Sequence, residues 1–408
     1  MNQEELRGQF PQLSEKVYGK PLVYLDNAAT SLRPASVVSK WSELSSRYTS
    51  NLHRAVHFMA SKATAEYEAA RAEVASFLGA MSPEEIVFTS GTTASVNLVA
   101  YSFGQAYVHE GDEIIVTEEE HHSNIIPWQL LCERNGATLK VLGVDDRGEL
   151  KLEDLPALLS SGKVKIACVS QASNVLGILN PVKEIVSLCH EAGVPVFVDG
   201  AQGAAHGGID VSDCDCDFYA FSGHKIYAAT GTGVLYGKKN WLDRLPPFMG
   251  GGEMIESVKW GGSTYARAPF KFEAGTQNFS SVPTLLPALE LASEIRTGEI
   301  AQNCDRVRQY VLNALLSRDD IILYGNPQDA DRKLPLFSFC IRGVHHEDAA
   351  LILDKMGIAL RSGQMCAEPL MDRYGVSGML RASFAPYNTM QEAEYFITSL
   401  ERAIAMLR

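Results

Sequence analysis

The chain has 408 residues, 46% of them hydrophobic, and a formal net charge of −13. That length accommodates two domains, or one large α/β unit with an appended part, around a sizeable core. The acidic balance, with 36 basic residues scattered along the chain, argues against a nucleic-acid or anionic-membrane surface. No apolar run is long enough to span a bilayer. The opening Met1-Asn-Gln-Glu-Glu-Leu-Arg7 lacks the apolar stretch of a signal peptide, so a cytoplasmic location is expected. The eight cysteines are dispersed, unlike a secreted disulfide framework. Cys214-Asp-Cys216 is the one close pair. It has no second pair or histidines at zinc-ligand spacing, so no metal site is expected.

In chain order, Pro21 to Pro34 reads as a short strand followed by the small residues Ala28 and Ala29, which let a ligand approach the backbone. Asn51-Leu-His53-Arg54-Ala-Val-His57 is a basic, loop-like segment, either plain surface or facing a substrate. Ala63, Tyr67, Ala70, Val74, Phe77 and Leu78 recur at helical spacing and predict one buried face of a long helix. Glu85 to Thr89 is a strand that runs through Ser90-Gly91-Thr92-Thr93 into a helix over Ala94–Ala100. Free N–H groups and two hydroxyls at that helix N-terminus make an anion site. The strand Glu113–Thr117 ends in Glu118-Glu-Glu-His121-His122-Ser123-Asn124. A histidine there either lies on a bound aromatic ring or belongs to a polar turn before a helix near Ile125.

A strand near Leu139–Leu142 and a helix near Leu152–Leu159 follow. The strand Val164–Val169 leads into Ser170-Gln-Ala-Ser-Asn174-Val-Leu-Gly177. Asn180-Pro181 is expected to open the next helix, with Asn180 as cap and Pro181 at the first helical position. Gly193 ends it.

Val194-Pro-Val-Phe-Val-Asp199-Gly-Ala-Gln202 and Asp217-Phe-Tyr-Ala-Phe-Ser222-Gly-His224-Lys225 are the two most informative stretches. Each is an apolar run without alternation, as in a strand buried on both faces. Each ends in polar residues, where open α/β sheets bind ligands. A lone acid or lysine there would be a solvated loop residue, but here the two arrive together with Gln202, Ser222 and His224. Pyridoxal phosphate needs that set: a lysine for covalent attachment, a carboxylate on the pyridine nitrogen, and hydroxyl and imidazole donors for the phosphate.

Gly231–Tyr236 closes the β–α–β alternation, which predicts a mostly parallel sheet. Gly250-Gly-Gly252 and Gly261-Gly262 mark an excursion, a loop or hairpin reaching toward a neighbouring subunit. Beyond Thr284 come two helices, then strands at Ile321–Tyr324, Leu334–Ile341, Ile358–Arg361 and Leu380–Phe384. A capping box, Thr389-Met-Gln-Glu392, opens a terminal helix. The expected organisation is an N-terminal segment (1–20), a large cofactor domain (21–290) and a smaller α+β domain (291–408).

Cys366, in Arg361-Ser-Gly-Gln-Met-Cys366-Ala-Glu-Pro-Leu370, is the least core-like cysteine. It is either a bystander or a nucleophile, since an exposed thiol near arginine favours the reactive thiolate. Cys168 and Cys189 lie in apolar patterns and read as core.

These motifs, in collinear order over nearly the whole chain, resemble those of the class V aminotransferase-related enzymes. The resembling segments include Leu25-Asp-Asn-Ala-Ala29, His53-Arg54, Gly91-Thr-Thr93, Glu120-His121-His122-Ser-Asn124-Ile-Ile-Pro127-Trp128 and Ser173-Asn-Val-Leu-Gly177. Val198-Asp-Gly-Ala-Gln202, Ser222-Gly-His-Lys225, Phe272-Glu-Ala-Gly-Thr276, Arg361-Ser-Gly363, Cys366-Ala and Leu380-Arg381-Ala-Ser383 complete the set. The set is most similar to the SufS-type (group II) cysteine desulfurases, which overlap with selenocysteine lyases; the short loop around Cys366 is of that type.

The resemblance implies an α/β, fold-type-I pyridoxal-phosphate-dependent transferase fold and a homodimer. It implies L-cysteine, or L-selenocysteine, as substrate and a Suf-system protein as sulfur acceptor for iron–sulfur cluster assembly. Lys225 would hold the cofactor and move protons, Asp199 would pair with the pyridinium, Gln202 would bond the phenolic oxygen, and His121 would stack on the ring. Thr92, Thr93, Ser222 and His224 would hold the phosphate, with Thr276 from the other subunit. Asn174 and Arg381 would bind the substrate carboxylate, with Ala28, Arg54 and Arg361 around the substrate, and Cys366 would take the sulfur. Two positions depart from close relatives. Gln364-Met365 stand where a His pair is frequent, and Ala94 follows Gly-Thr-Thr where an acid is frequent. A lyase independent of Cys366 and a non-enzymatic sulfur-carrier scaffold are the rival readings.

Overall fold

The computed structural model describes residues 1–408. Its centre is a seven-stranded sheet. The spatial order is Ile86–Thr89, Gly233–Gly237, Phe218–Ser222, Val196–Asp199, Val164–Ser170, Glu113–Thr117 and Thr138–Leu142. Gly233–Gly237 runs antiparallel to both its neighbours, and the remaining pairings are parallel. Six strands therefore end at one edge, and the residues after them converge there.

The apolar runs fill this sheet because both faces are covered. Every residue of Val196–Asp199, Phe218–Ser222 and Gly233–Gly237 is buried. Successive side chains point to opposite faces of a strand. Accordingly Val196, Val198, Tyr219 and Phe221 join one core with Val74 and Val169, while Phe197, Phe218 and Ala220 join another with Val99 and Trp128. Gly233 must be glycine: a Cβ there would lie 2.3 Å from the Gly91 backbone. That approach seats the Gly91-Thr92 turn on the sheet.

A second, four-stranded sheet runs Ile321–Tyr324, Leu336–Ile341, Met379–Ser383, Arg361–Gly363. All its pairings are antiparallel. Its core gathers Val311, Phe337, Phe339, Leu380, Phe396 and Leu400, together with Val23 and Leu25. The last two belong because the short strand Val23–Tyr24 pairs in parallel with Ile358–Ala359. This N-terminal crossing brings Asp26 to Ala29 to the border between the sheets. The Thr389–Glu392 capping box forms and opens the helix Met390–Leu407.

Three details differ from the sequence reading, and one alternative it left open is settled. Asn180 does not cap the helix Val182–Glu191; its amide donates instead to Glu119 and to the Ser170 carbonyl, since a buried strand end must be satisfied first. The strand expected at Ile358–Arg361 is two short strands, Ile358–Ala359 and Arg361–Gly363, on different partners. A helix, Ala35–Arg47, stands where none was expected. The glycine-rich excursion is a hairpin, Ile255–Lys259 with Gly262–Tyr265, almost wholly exposed. No helix is long and apolar enough to cross a membrane.

Candidate active site

The strand ends surround a cavity of about 220 Å³. Asp199 closes its strand and Lys225 follows the end of the neighbouring one, and both line the cavity. Asp199 is buried, and the one hydrogen bond to its carboxylate comes from the Ala201 N–H at 2.8 Å. Burial raises its pKa, opposed by that N–H and by Lys225. Burial is also the largest influence on Lys225, pushing its ammonium down to about 8 while the Asp199 and Cys366 charges oppose it. Gln202 is oriented by donating to the Ala28 carbonyl at 2.8 Å. An acid and an amine in one enclosure, each without a hydrogen-bonded ionic partner, suit a group that brings its own opposite charge and an electrophilic carbon.

At the neighbouring wall, the helix Thr92–Tyr107 points its N-terminus at the cavity. Ser222 Oγ accepts the Thr92 N–H at 2.8 Å and lies 2.8 Å from Thr92 Oγ1. Thr93 Oγ1 meets Ser123 Oγ at 2.7 Å. His224 lies beside Thr30 at 3.2 Å, and burial with the Lys225 charge lowers its pKa to about 4. Hydroxyls and helix N–H groups at a helix start form a phosphate cradle.

His121 covers another side. Its Nδ1 accepts the Ser123 N–H at 3.1 Å. Burial, then the Lys225 charge, lowers its pKa to about 3, so the ring is neutral. The segment is anchored from below by Glu120, a fully buried carboxyl. Glu120 accepts from Thr117 Oγ1 at 2.6 Å, the Ser170 N–H at 2.7 Å and Asn124 Nδ2 at 2.8 Å. Asn124 in turn accepts from Trp128 Nε1 at 2.9 Å. This explains most of the Glu-His-His-Ser-Asn-Ile-Ile-Pro-Trp run: Glu120 holds Asn124, Asn124 holds Trp128, and His121 holds Ser123.

The opposite side comes from the rest of the chain. Arg381 is buried; it donates to the Asn174 carbonyl at 2.8 Å and pairs with Asp26 at 3.3 Å, and its Nε has no partner. Ala28, Asn174 and Arg361 line the same space. A buried guanidinium with an unpartnered N–H has the chemistry to bind a carboxylate.

Cys366 is exposed at the mouth, the only exposed cysteine of the eight. Met365 and Cys366 both have left-handed backbones, with φ of 56° and 55°. Asn174 Nδ2 donates to the Met365 carbonyl at 2.8 Å, and the His122 N–H donates to the Cys366 carbonyl at 2.7 Å.

Two residues named for the site lie outside this cavity, Arg54 against expectation and Thr276 as expected of a residue serving another subunit's site. Arg54 pairs with Glu253 at 2.9 Å on the surface. Thr276 lines a separate hollow with Phe88, Phe248 and Gln277. Ser123 lines the cavity and Asp26 pairs with Arg381 beside it, though neither was given a role from the sequence; Met365, noted there only as a departure, lines it too. Ser123 was already visible in the motif, whereas the Asp26–Arg381 pairing joins residues at opposite ends of the chain.

This enclosure fits pyridoxal phosphate: a buried amine, a buried carboxylate, hydroxyls at a helix start and a buried guanidinium share one cavity. The fold and site are those of a pyridoxal-phosphate enzyme. The aminotransferase class-V family profile matches residues 23–396, and the chain belongs to that family, which depends on pyridoxal phosphate. Its similarity to individual proteins is full-length. It is 45% identical to a cysteine desulfurase of Enterobacter sp., covering 98% of this chain and 97% of the relative. The crystal structure of the cysteine desulfurase CsdA from Escherichia coli superposes with a TM-score of 0.91 at 39% identity, covering 100% of both chains. An apo cysteine desulfurase from Thermococcus onnurineus superposes with a TM-score of 0.92 at 36% identity, covering 98% of both chains.

Proposed function

We propose that this chain is a cysteine desulfurase: it converts L-cysteine to L-alanine and holds the released sulfur as a persulfide on Cys366. One observation carries the reading. An exposed thiol stands at the mouth of the cavity that also holds Lys225, Asp199 and Arg381.

Lys225 would attach the cofactor, Asp199 would hold its ring nitrogen protonated and Gln202 would bond its phenolic oxygen. His121 would lie on the ring, and Thr92, Thr93, Ser222 and His224 would hold the phosphate. When bound, pyridoxal phosphate supplies an electron sink for the Cα carbanion. Arg381 and Asn174 bind the substrate carboxylate, with Ala28 and Arg361 lining the same space. Lys225, at about 8, exchanges protons at Cα near neutral pH. Cys366 Sγ attacks the substrate sulfur. The S–S bond forms and the Cβ–S bond breaks, with its electron pair staying on Cβ. Protonation of Cβ completes the methyl group of alanine. Two thiols become one persulfide while Cβ is reduced, so no outside oxidant or reductant is needed.

In the same reading the protein works in the cytoplasm as a homodimer, with Thr276 and Arg54 serving the site across the interface. Units 21–290 and 291–408, after the segment 1–20, close around the substrate. The persulfide passes to a Suf-system acceptor protein for iron–sulfur cluster assembly. L-selenocysteine is an alternative substrate. The test is mass spectrometry after cysteine addition. One added sulfur is expected on the Cys366 peptide, and borohydride should fix the cofactor on Lys225. Alanine formation without sulfur on that peptide would favour a lyase in which Cys366 is a bystander.

A further inference from the structure

Cys366 sits in a loop that should not hold its shape unaided. Two consecutive non-glycine residues, Met365 and Cys366, are left-handed. Such residues persist only where surrounding bonds over-determine them. Within the loop, the Ala367 N–H donates to the Gln364 carbonyl at 3.0 Å, and Gln364 Nε2 donates to Glu368 at 3.2 Å. These bonds close the turn on itself, but they do not fix where it stands over the cavity.

His122 does. Its backbone N–H donates to the Cys366 carbonyl at 2.7 Å. Its side-chain Nε2 accepts the Glu368 N–H at 3.1 Å. Since the donor is a backbone amide, that nitrogen carries no proton. One residue thus grips the loop on both sides of Ala367, whose side chain is buried. The residue before it is His121, which lines the cavity, while the His122 ring turns outward to the first turn of the helix Glu368–Tyr374. One peptide unit therefore links the cavity-facing imidazole to the nucleophile's carbonyl. Asn174, on the other side, holds only Met365.

We propose that His122 is a positioning residue: it clasps the Cys366 loop to the segment carrying His121 and so sets the reach of the Cys366 thiol into the cavity. This rests on the desulfurase reading. Sulfur transfer needs the two sulfur atoms aligned at near-contact distance, and a misplacement of about 1 Å can cost roughly a hundredfold in rate. Substrate binding at Arg381 and Asn174 does not involve His122.

The test uses the holoenzyme with His122→Phe, His122→Gln and His122→Asn. Phenylalanine keeps the ring but cannot accept a bond. Glutamine places an amide oxygen near the position of Nε2, and asparagine falls short of it. In His122→Phe, kcat for alanine formation should drop by roughly ten- to a hundredfold, with KM for cysteine within about twofold and the visible cofactor band retained. Amide hydrogen exchange of the 364–371 peptide should accelerate by about tenfold, the loss of one hydrogen bond. Glutamine should restore both readings and asparagine neither, a contrast that stands even if the phenylalanine variant fails to fold. Parent exchange and parent kcat in His122→Asn, or a change in KM alone, overturns the proposal. Exchange needs no turnover, so it reports on the clasp even if the desulfurase reading fails. A Cys366→Ala protein that desulfurates at the parent rate would overturn that reading separately.

Discussion

Replacing Cys366 by alanine deletes one sulfur from an exposed loop and leaves Lys225, Asp199 and His121 untouched. The Cys366→Ala protein should keep its visible absorption and its spectral response to cysteine. It should make alanine from cysteine at least about a hundredfold more slowly, because the sulfur has lost its acceptor. Selenocysteine, with a better leaving group, should be affected less. Assays of alanine from both substrates decide this, and parent-rate desulfuration would sink the persulfide mechanism. A second residue bears on stability. Glu119 is wholly buried with Oε2 unpartnered, and burial lifts its pKa to about 7, opposed by the Asn180 bond. A carboxyl raised in the fold stabilises it fully below the unfolded value near 4.5, and that contribution is lost as pH rises through 7. The Glu119 contribution therefore declines from pH 5 to 7, against the rise that His121, His206 and His224, lowered by burial to about 3, 4 and 4, give up to about pH 6.5. Glu119→Gln should make the slope measured from denaturation midpoints more positive by up to about 1.4 kcal/mol per pH unit. Glu120, raised to about 8 by burial, keeps part of the slope, while Lys333, lowered to about 7 by burial, acts with opposite sign above that window. An unchanged slope would show that Glu119 is already ionised at pH 5. Lys225 and Asp199 were readable because a strand end announces itself locally. The roles of Glu119 and His122 were not, because their partners Asn180 and Glu368 are distant in the chain.

Elements divide by the same logic. The helix Ala35–Arg47 escaped the sequence reading because Ala-Ser-Val-Val-Ser-Lys-Trp-Ser-Glu-Leu-Ser-Ser-Arg is rich in serine, a residue that favours caps and turns. Only Val37 and Leu44 of it are buried. The central strands were legible since burial on both faces demands uninterrupted apolar runs. The segment Phe272 to Thr276 shows an element held by one residue. Glu273 accepts from Arg71 at 2.7 and 2.9 Å and from the Phe88 N–H at 2.7 Å. It thereby ties this segment to the helix Phe58–Leu78 and to the sheet edge. Arg71 is itself buried, and it also donates to Glu68 and to the Ile86 carbonyl at 2.8 Å. Glu273→Ala leaves a buried guanidinium with Glu68 as its one counter-charge and the Phe88 N–H without its acceptor, and should cost about 1.5–3 kcal/mol, read as a lowered denaturation midpoint. Removing both partners, in Arg71→Met with Glu273→Leu, should recover part of the loss; no recovery would show that the Phe88 bond dominates.

At the scale of the whole molecule, large apolar side chains gather on one part of the surface. Val56 and Trp260 are fully exposed, and Phe58, Val258, Met249 and Phe270 are exposed too. They fall in two stretches that the fold brings together. Arg54 pairs with Glu253 at 2.9 Å, and the His53 and Phe270 rings meet edge-on at 5.3 Å. Exposed apolar side chains gathered in this way mark an interaction surface. Thr276 and Arg54, which the resemblance ties to the site, sit on these same stretches and outside their own cavity. A second copy would cover the apolar surface and bring those two residues to a site. Sedimentation equilibrium should therefore give a dimer at micromolar concentration. Val56→Asp with Phe58→Asp should shift it toward monomer, because charge at an interface core costs several kcal/mol unless paired. The monomer should hold pyridoxal phosphate more weakly, since its phosphate cradle would lack Thr276. Thr276→Ala should lower cofactor retention in the dimer without dissociating it. A fully active monomer with parent cofactor affinity would refute both the dimer and the role of Thr276.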